Sequence, residues 1–307
     1  MFFKDESFNE IYNTLHKSLQ NNLSVSFKVI NPDIFSSKYA GEVVVVDSNK
    51  FIYRGYKSWV SLAEILGCKI LTPKSIGNFV EITLKKLESN SFHSSSDNDK
   101  YGVDSEFAKI DKMQEPSFAY YYIDALKRAN IYNRESILNL GINRGDEFRV
   151  IDELIGSSEF KSKRCVGVDY SKSAIDMAKD TFKDSAEFYC ADINELDSLN
   201  LGKFDCLISI GTLQSSSLNY KSLLMELVQN YLNRDSAIVL AFPNCRWIGG
   251  EMVYGARVPN YNFSEMGILY SDVIFAKKYL QQKKYRVTVT GKEYIFLTAT
   301  RIRSALK

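Results

Sequence analysis

The stretch Ile137-Leu-Asn-Leu-Gly141-Ile-Asn-Arg-Gly145-Asp-Glu-Phe148 constrains the fold more than any other. Ile137 to Leu140 is a short apolar run that reads as a buried strand. It breaks at a glycine-bearing turn into a helical pattern with Phe148, Ile151 and Ile155 on one face. Strand, tight turn and helix start make a cradle. Backbone N–H groups at the turn and helix start are expected to be unpaired and directed at a ligand, and glycine lets that ligand come close.

The next strand gives the cradle a partner. Arg164-Cys-Val-Gly-Val168-Asp169 ends in a carboxylate 24 residues after Gly145. An acid at the tip of a second strand is placed to accept hydrogen bonds from ribose hydroxyls. A helix follows, with Ala174, Met177, Ala178 and Phe182 on one face and Ser171 or Ser173 as cap. The third strand, Glu187 to Cys190, leads to a further strand-tip acid, Asp192.

From Ser117 to Arg303 the chain resembles the class I S-adenosylmethionine-dependent methyltransferases. The resemblance implies a Rossmann-like, mainly parallel seven-stranded sheet ending in an antiparallel hairpin. It also implies S-adenosyl-L-methionine as cofactor. In that family the strand-one loop holds the methionine part, the strand-two acid the ribose, and the acid after strand three the adenine amino group. Carried onto this chain, the cofactor residues are Asn139, Gly141, Ile142, Asn143, Arg144, Gly145, Asp169, Tyr170, Ser171, Asp192 and Ile193. Phe204 to Thr212 resembles the fourth strand, whose tip at Ile210 and Gly211 faces the transferred methyl. Two positions depart from the family: Asn139 stands where an acid is usual, and Asn143 where a second glycine is usual. Asn tolerates a left-handed backbone, so Asn143 is compatible with the turn.

The rest of the chain reads as follows. Phe8, Ile11, Tyr12, Leu15 and Leu19 repeat at helical spacing behind a Ser7 cap. Val25, Phe27 and Val29 alternate, and Glu42–Val46 with Lys50–Tyr53 reads as a hairpin about Asp47-Ser-Asn49. A second helix carries Trp59, Leu62 and Leu66. Strands follow at Cys68 to Leu71 and Phe79 to Leu87. Residues 1–87 are thus expected to be a small α+β domain, 88–115 a Ser-rich linker and 116–307 the methyltransferase domain. Tyr53-Arg-Gly-Tyr-Lys-Ser-Trp59 mixes aromatics with cations, which suits either a module core with solvated charges or stacking on nucleic acid.

Beyond the strand ends, two segments are candidates to hold an acceptor. One follows strand four and carries Gln214. The other is the long connection after the fifth strand, Ala237 to Phe242, and reads as a loop. It carries Asn244, Arg246, Trp247, Arg257 and Tyr261, with Glu251 and Tyr254 as candidate bases, because both histidines (His16 and His93) lie before the catalytic half. The acceptor is expected to be a small molecule. An RNA acceptor docked by the N-terminal module and a scaffold that has lost the cofactor stay open as alternatives. Residues 265–307 hold nine Lys or Arg against three Asp or Glu, a local +6, but the whole chain is only +2. Gly141-Ile-Asn-Arg-Gly145 is not G-x-G-x-x-G, which disfavours a nicotinamide site. Five scattered cysteines without CxxC or a histidine cluster argue against a metal centre. Three of them, in the predicted strands, are expected to be buried fillers. The N-terminus lacks signal-peptide architecture and no apolar run spans a bilayer, so a cytoplasmic location is expected. Oligomeric state is left undetermined.

Overall fold

A computed structural model describes residues 1–35, 37–88, 109–255 and 266–302. Most of the expected linker, with Arg257 and Tyr261 of the expected acceptor set, lies outside the described residues. The chain divides into two compact units, Met1–Ser91 with Trp247–Val253, and Phe92–Arg246 with Tyr254–Lys307.

In the first unit, α1 (Phe8–Asn21) starts at a capping box: Ser7 Oγ accepts the Glu10 N–H, and the Glu10 carboxylate accepts the Ser7 N–H at 2.8 Å. Its apolar stripe Ile11, Leu15 and Leu19 is buried. Next come β1 (Ser24–Ile30), β2 (Val43–Val46), β3 (Asn49–Ile52), α2 (Tyr56–Ile65), β4 (Cys68–Ile70), β5 (Lys74–Ile76) and β6 (Phe79–Lys86). β6 is the central strand, antiparallel to β1, β4 and β5. The β2–β3 loop is the two residues Asp47-Ser48, both at positive φ, one fewer than the sequence suggested. β5 escaped the sequence reading because three exposed residues carry no alternation. Trp59, with its indole N–H on the Arg54 carbonyl, lies in the core with Phe27. Replacing Ser7 by alanine should lower the stability of this unit by about 1 kcal/mol. Urea denaturation followed by Trp fluorescence measures it, and an unchanged midpoint would deny the cap any weight.

The second unit begins with α3 (Pro116–Arg128), whose proline takes the first helical position, where no N–H is needed. Then follow β7 (Ser136–Leu140), α4 (Asp146–Ile155), α5 (Ser157–Ser162), β8 (Arg164–Asp169), α6 (Lys172–Phe182), β9 (Glu187–Cys190), β10 (Phe204–Ile210), α7 (Tyr220–Asn230) and β11 (Leu232–Pro243). A two-stranded ribbon, β12 (Cys245–Ile248) and β13 (Glu251–Tyr254), follows in the chain, its residues Trp247–Val253 counted with the first unit, and then come α8 (Gly267–Gln282), β14 (Tyr285–Gly291) and β15 (Tyr294–Arg301). The seven-stranded sheet runs β14-β15-β11-β10-β7-β8-β9. Its pairings are parallel from β9 to β11, and antiparallel for β15 against both β11 and β14. This is the expected mainly parallel sheet with its final antiparallel hairpin.

Alternation along β7 divides its side chains. Leu138 and Leu140 join the core beneath α7 and α8, so Ile137 and Asn139 face the opposite side. There the rings of Phe118 and Tyr122 from α3 pack on Phe296 of β15. Two expectations need correction. The connection after the fifth strand is not all loop, because 245–254 forms the β12–β13 ribbon, turned by Gly249 and Gly250 at positive φ. Its strands are too short for periodicity to show. Cys190 is exposed, unlike Cys165 and Cys206, because β9 is the edge strand.

Candidate active site

The bend after β7 has Gly141, Asn143 and Gly145 at φ of +76°, +50° and +94°. Asn143 does take the left-handed conformation that its residue type permits. The N–H groups of the bend do not point outward, contrary to expectation. Those of Gly141 and Ile142 go to the Val168 carbonyl, and that of Gly145 to the Ile142 carbonyl. The Asn143 N–H goes to Asp169 Oδ2 at 2.8 Å, and that of Arg144 to Asn143 Oδ1 at 2.8 Å. A tight turn between two parallel strands satisfies its donors on the neighbouring strand, leaving a ligand the bare glycine surface. One side of that surface is occupied: a Cβ on Gly141 would lie 1.9 Å from Thr212 Oγ1, so the threonine after β10 rests on the glycine. Gly145 is backed by the ring of Phe182.

Asp169 closes the bend onto β8. Its other oxygen accepts the Ser171 N–H at 2.9 Å. Burial raises its pKa, against the backbone hydrogen bonds from Ser171, Asn143 and Tyr170 and the charge of Lys112. A carboxylate has about four acceptor positions, and three backbone donors take all but one of them. Tyr170 is exposed, while Ser171 is buried and caps α6 through the Ala174 N–H. Asp192 at the end of β9 accepts the Asn194 N–H at 2.8 Å, with Ile193 buried beside it. Arg144 turns back along the helix to Asp146, 3.2 Å away, and to the Ile110 carbonyl. At the tip of β10, Ile210 is buried and Gly211 lies against Pro243 and Tyr294.

Two features of this region were not legible in the sequence. Asn139 is fully buried on β7, and neither its Oδ1 nor its Nδ2 has a hydrogen-bond partner. Glu147, in the first turn of α4, is 4% exposed. Burial pushes its pKa up to about 7; Asp146 and Asp169 add to the rise, while Lys112 and the residue's own N–H oppose it. Lys112 also lies 5.9 Å from the centre of the Tyr294 ring. Tyr122 is core: fully buried, it donates to the Glu147 carbonyl. Tyr120 is exposed.

The expected acceptor residues are only partly brought together. Gln214 Oε1 and Asn244 Oδ1 are buried without partners just beyond β10 and β11, which are adjacent and parallel. Asn244 donates to the Lys292 carbonyl and Arg246 to the Gly255 carbonyl. Trp247 and Glu251 fall in the first unit, where Glu251 is exposed and pairs with Lys69 at 3.2 Å. Tyr254 is exposed, its hydroxyl 4.0 Å from Met266 Sδ. No group of three His, Cys, Asp or Glu among the described residues suits a metal ion, and no described helix is long and apolar enough to cross a membrane.

The strand order, with an acid-clamped bend between β7 and β8, defines a Rossmann-like α/β domain of the class I transferase type. Residues 135–287 match the family described as "Methyltransferase domain". The chain belongs to that family and is an S-adenosylmethionine-dependent methyltransferase. No curated protein matches it. Among solved structures it is similar to the plantazolicin methyltransferase BpumL in complex with a pentazolic desmethylPZN analog and SAH. That match has 17% identity and a TM-score of 0.44, covering 68% of this chain and 93% of that one. Another is the N-methyltransferase NodS from Bradyrhizobium japonicum WM9 in complex with S-adenosyl-l-homocysteine, at 13% identity and TM-score 0.42, covering 68% and 94%. A third is the ribosomal protein L11 methylase from Lactobacillus delbrueckii subsp. bulgaricus, at 12% and 0.40, covering 60% and 79%. The family match, not these likenesses, carries the assignment.

Proposed function

We propose that the enzyme methylates a small, polar, donor-bearing acceptor, with the cofactor lying across the ends of β7, β8 and β9. The residues fit the cofactor. Asp169 keeps an open acceptor position for a ribose hydroxyl, the bend at 141–145 offers glycine surface to the tail, and Asn139 holds an unpartnered amide beneath it. Asp192 and Ile193 are assigned to the adenine end, with Tyr170 and Ser171 beside the ribose. When bound, S-adenosylmethionine supplies a methyl group made electrophilic by its sulfonium.

Support for a small acceptor rests on Gln214 and Asn244, whose buried carbonyl oxygens lack partners. Unsatisfied buried acceptors are costly, and a ligand N–H or O–H relieves them. They would hold the acceptor's donors so that its lone pair lies in line with the methyl carbon and the sulfur; such positioning supplies much of the acceleration. Bound this way, the cofactor would supply its methyl to the lone pair held by Gln214 and Asn244, and the acceptor's proton would pass to solvent. An amine uncharged in the pocket needs no protein base. Glu251 is engaged by Lys69, and Tyr254 would serve as base only for an acidic hydroxyl acceptor.

RNA is the second reading, motivated by the basic 265–307 segment. Calorimetry with S-adenosylhomocysteine and NAD, then methyl-label transfer to metabolite and RNA fractions, tests the assignment. Binding of the first ligand only, with label in the small-molecule fraction, is expected. RNase-sensitive label would favour RNA, and absence of binding would leave a scaffold.

A further inference from the structure

Glu147 and Asn139 flank the bend and are both buried; the Asn139 amide has no partner, and the one hydrogen bond to the Glu147 carboxyl comes from its own N–H. Asn139 has two unpartnered amide atoms, on the sheet face that carries α3 and α4. Glu147 lies one turn into α4, roofed by α3 through the Tyr122 hydroxyl on its carbonyl. Its carboxyl takes a hydrogen bond from its own N–H, and no ion pair to it is formed among the described residues. A buried carboxyl without a paired cation is costly unless it is neutral or a cation arrives. The cofactor brings one, since its tail is an α-amino acid. We propose that Glu147, with the Asn139 carbonyl as second acceptor, receives the α-ammonium of that tail, which makes cofactor binding proton-linked. This rests on the cofactor placement given above.

The charged and titratable groups facing Glu147 are Lys112 ahead of α3, Tyr122 on α3, Asp146 on its own helix, Asp169 on β8 and Tyr294 on β15. Lys112 favours ionisation and the two aspartates oppose it. Burial raises Glu147 to about 7, so the free enzyme holds its proton at pH 6 and has released most of it at pH 8. An arriving ammonium expels the proton. Affinity therefore rises with pH, by roughly tenfold between pH 6 and pH 8 if the bound carboxyl stays ionised throughout.

The test is calorimetry of S-adenosylhomocysteine at pH 6, 7 and 8, each in two buffers of different ionisation enthalpy. Expected are release of close to one proton at pH 6, little at pH 8, and the tenfold gain in affinity. Glu147→Gln should bind about tenfold more weakly at pH 8, with a flat profile and no proton release. Tight, pH-independent binding without proton release by the wild type would overturn the proposal and leave the transferase reading intact. Failure of the wild type to bind at any pH would overturn both.

Discussion

Replacing Asp169 by alanine is expected to weaken S-adenosylhomocysteine binding by about 100-fold, or ~2.7 kcal/mol. A hydrogen bond from a ribose hydroxyl to a charged acceptor is lost, worth about 1.5–3 kcal/mol. The same carboxylate also holds the bend, through the N–H of Asn143, and the start of α6, through the N–H of Ser171. Removing it leaves both donors unpaired in a half-buried place, so the alanine variant should also melt earlier. Asp169→Asn separates the two effects. The amide keeps a single acceptor oxygen and loses the charge, so its affinity should fall between wild type and Asp169→Ala. Calorimetry gives the affinities, and circular dichroism shows whether each variant is folded. A folded alanine variant within threefold of wild type would remove the ribose from Asp169.

Glu147→Gln should stabilise the ligand-free enzyme at alkaline pH, the opposite of its effect on binding. The folded value of about 7 lies above the ordinary 4.5, so between them the native state holds a proton that the unfolded chain has released. Stability from this group is complete below pH 4.5 and declines as pH rises through 7, by about 3 kcal/mol in all. Glutamine, always neutral, escapes that loss. Urea midpoints without ligand should therefore agree at pH 4.5 and favour the variant by up to about 3 kcal/mol at pH 8. Equal midpoints at pH 8 would mean that the carboxyl is not buried in the free enzyme. A group that destabilises the empty fold and strengthens the filled one is the trade expected of a binding residue.

Much of the domain could be read directly from the chain because its signals are local. Leu138, Val166, Leu207 and Val239 lie in continuous apolar runs, as strands covered on both faces must. Glycines 141 and 145 mark a sharp bend between such a run and an amphipathic helix, and Asp169 ends the next run. Residue type and order therefore gave the sheet, its helices and the antiparallel ending. The acceptor side was less legible. The β12–β13 ribbon has strands of four residues each, too short for alternation, so Glu251 and Trp247 gave no sign that they belong with the N-terminal unit.

Glu147 shows the limit most clearly. In sequence it is an ordinary acid in a first helical turn, where acids are common because of the helix dipole. Only the packing of α3 over α4 removes it from water, and a pKa is set by that desolvation rather than by neighbours in the chain. Likewise Asp169 is recognisable as a strand-tip acid, but its capture of the Asn143 N–H needs β7 and β8 side by side. The sequence by itself determined which segments are strands, bends and helices, because backbone geometry and apolar periodicity act over a few residues. Tertiary structure alone decided which polar atoms are buried, which are already bonded and which still lack a partner, because burial depends on segments far apart in the chain.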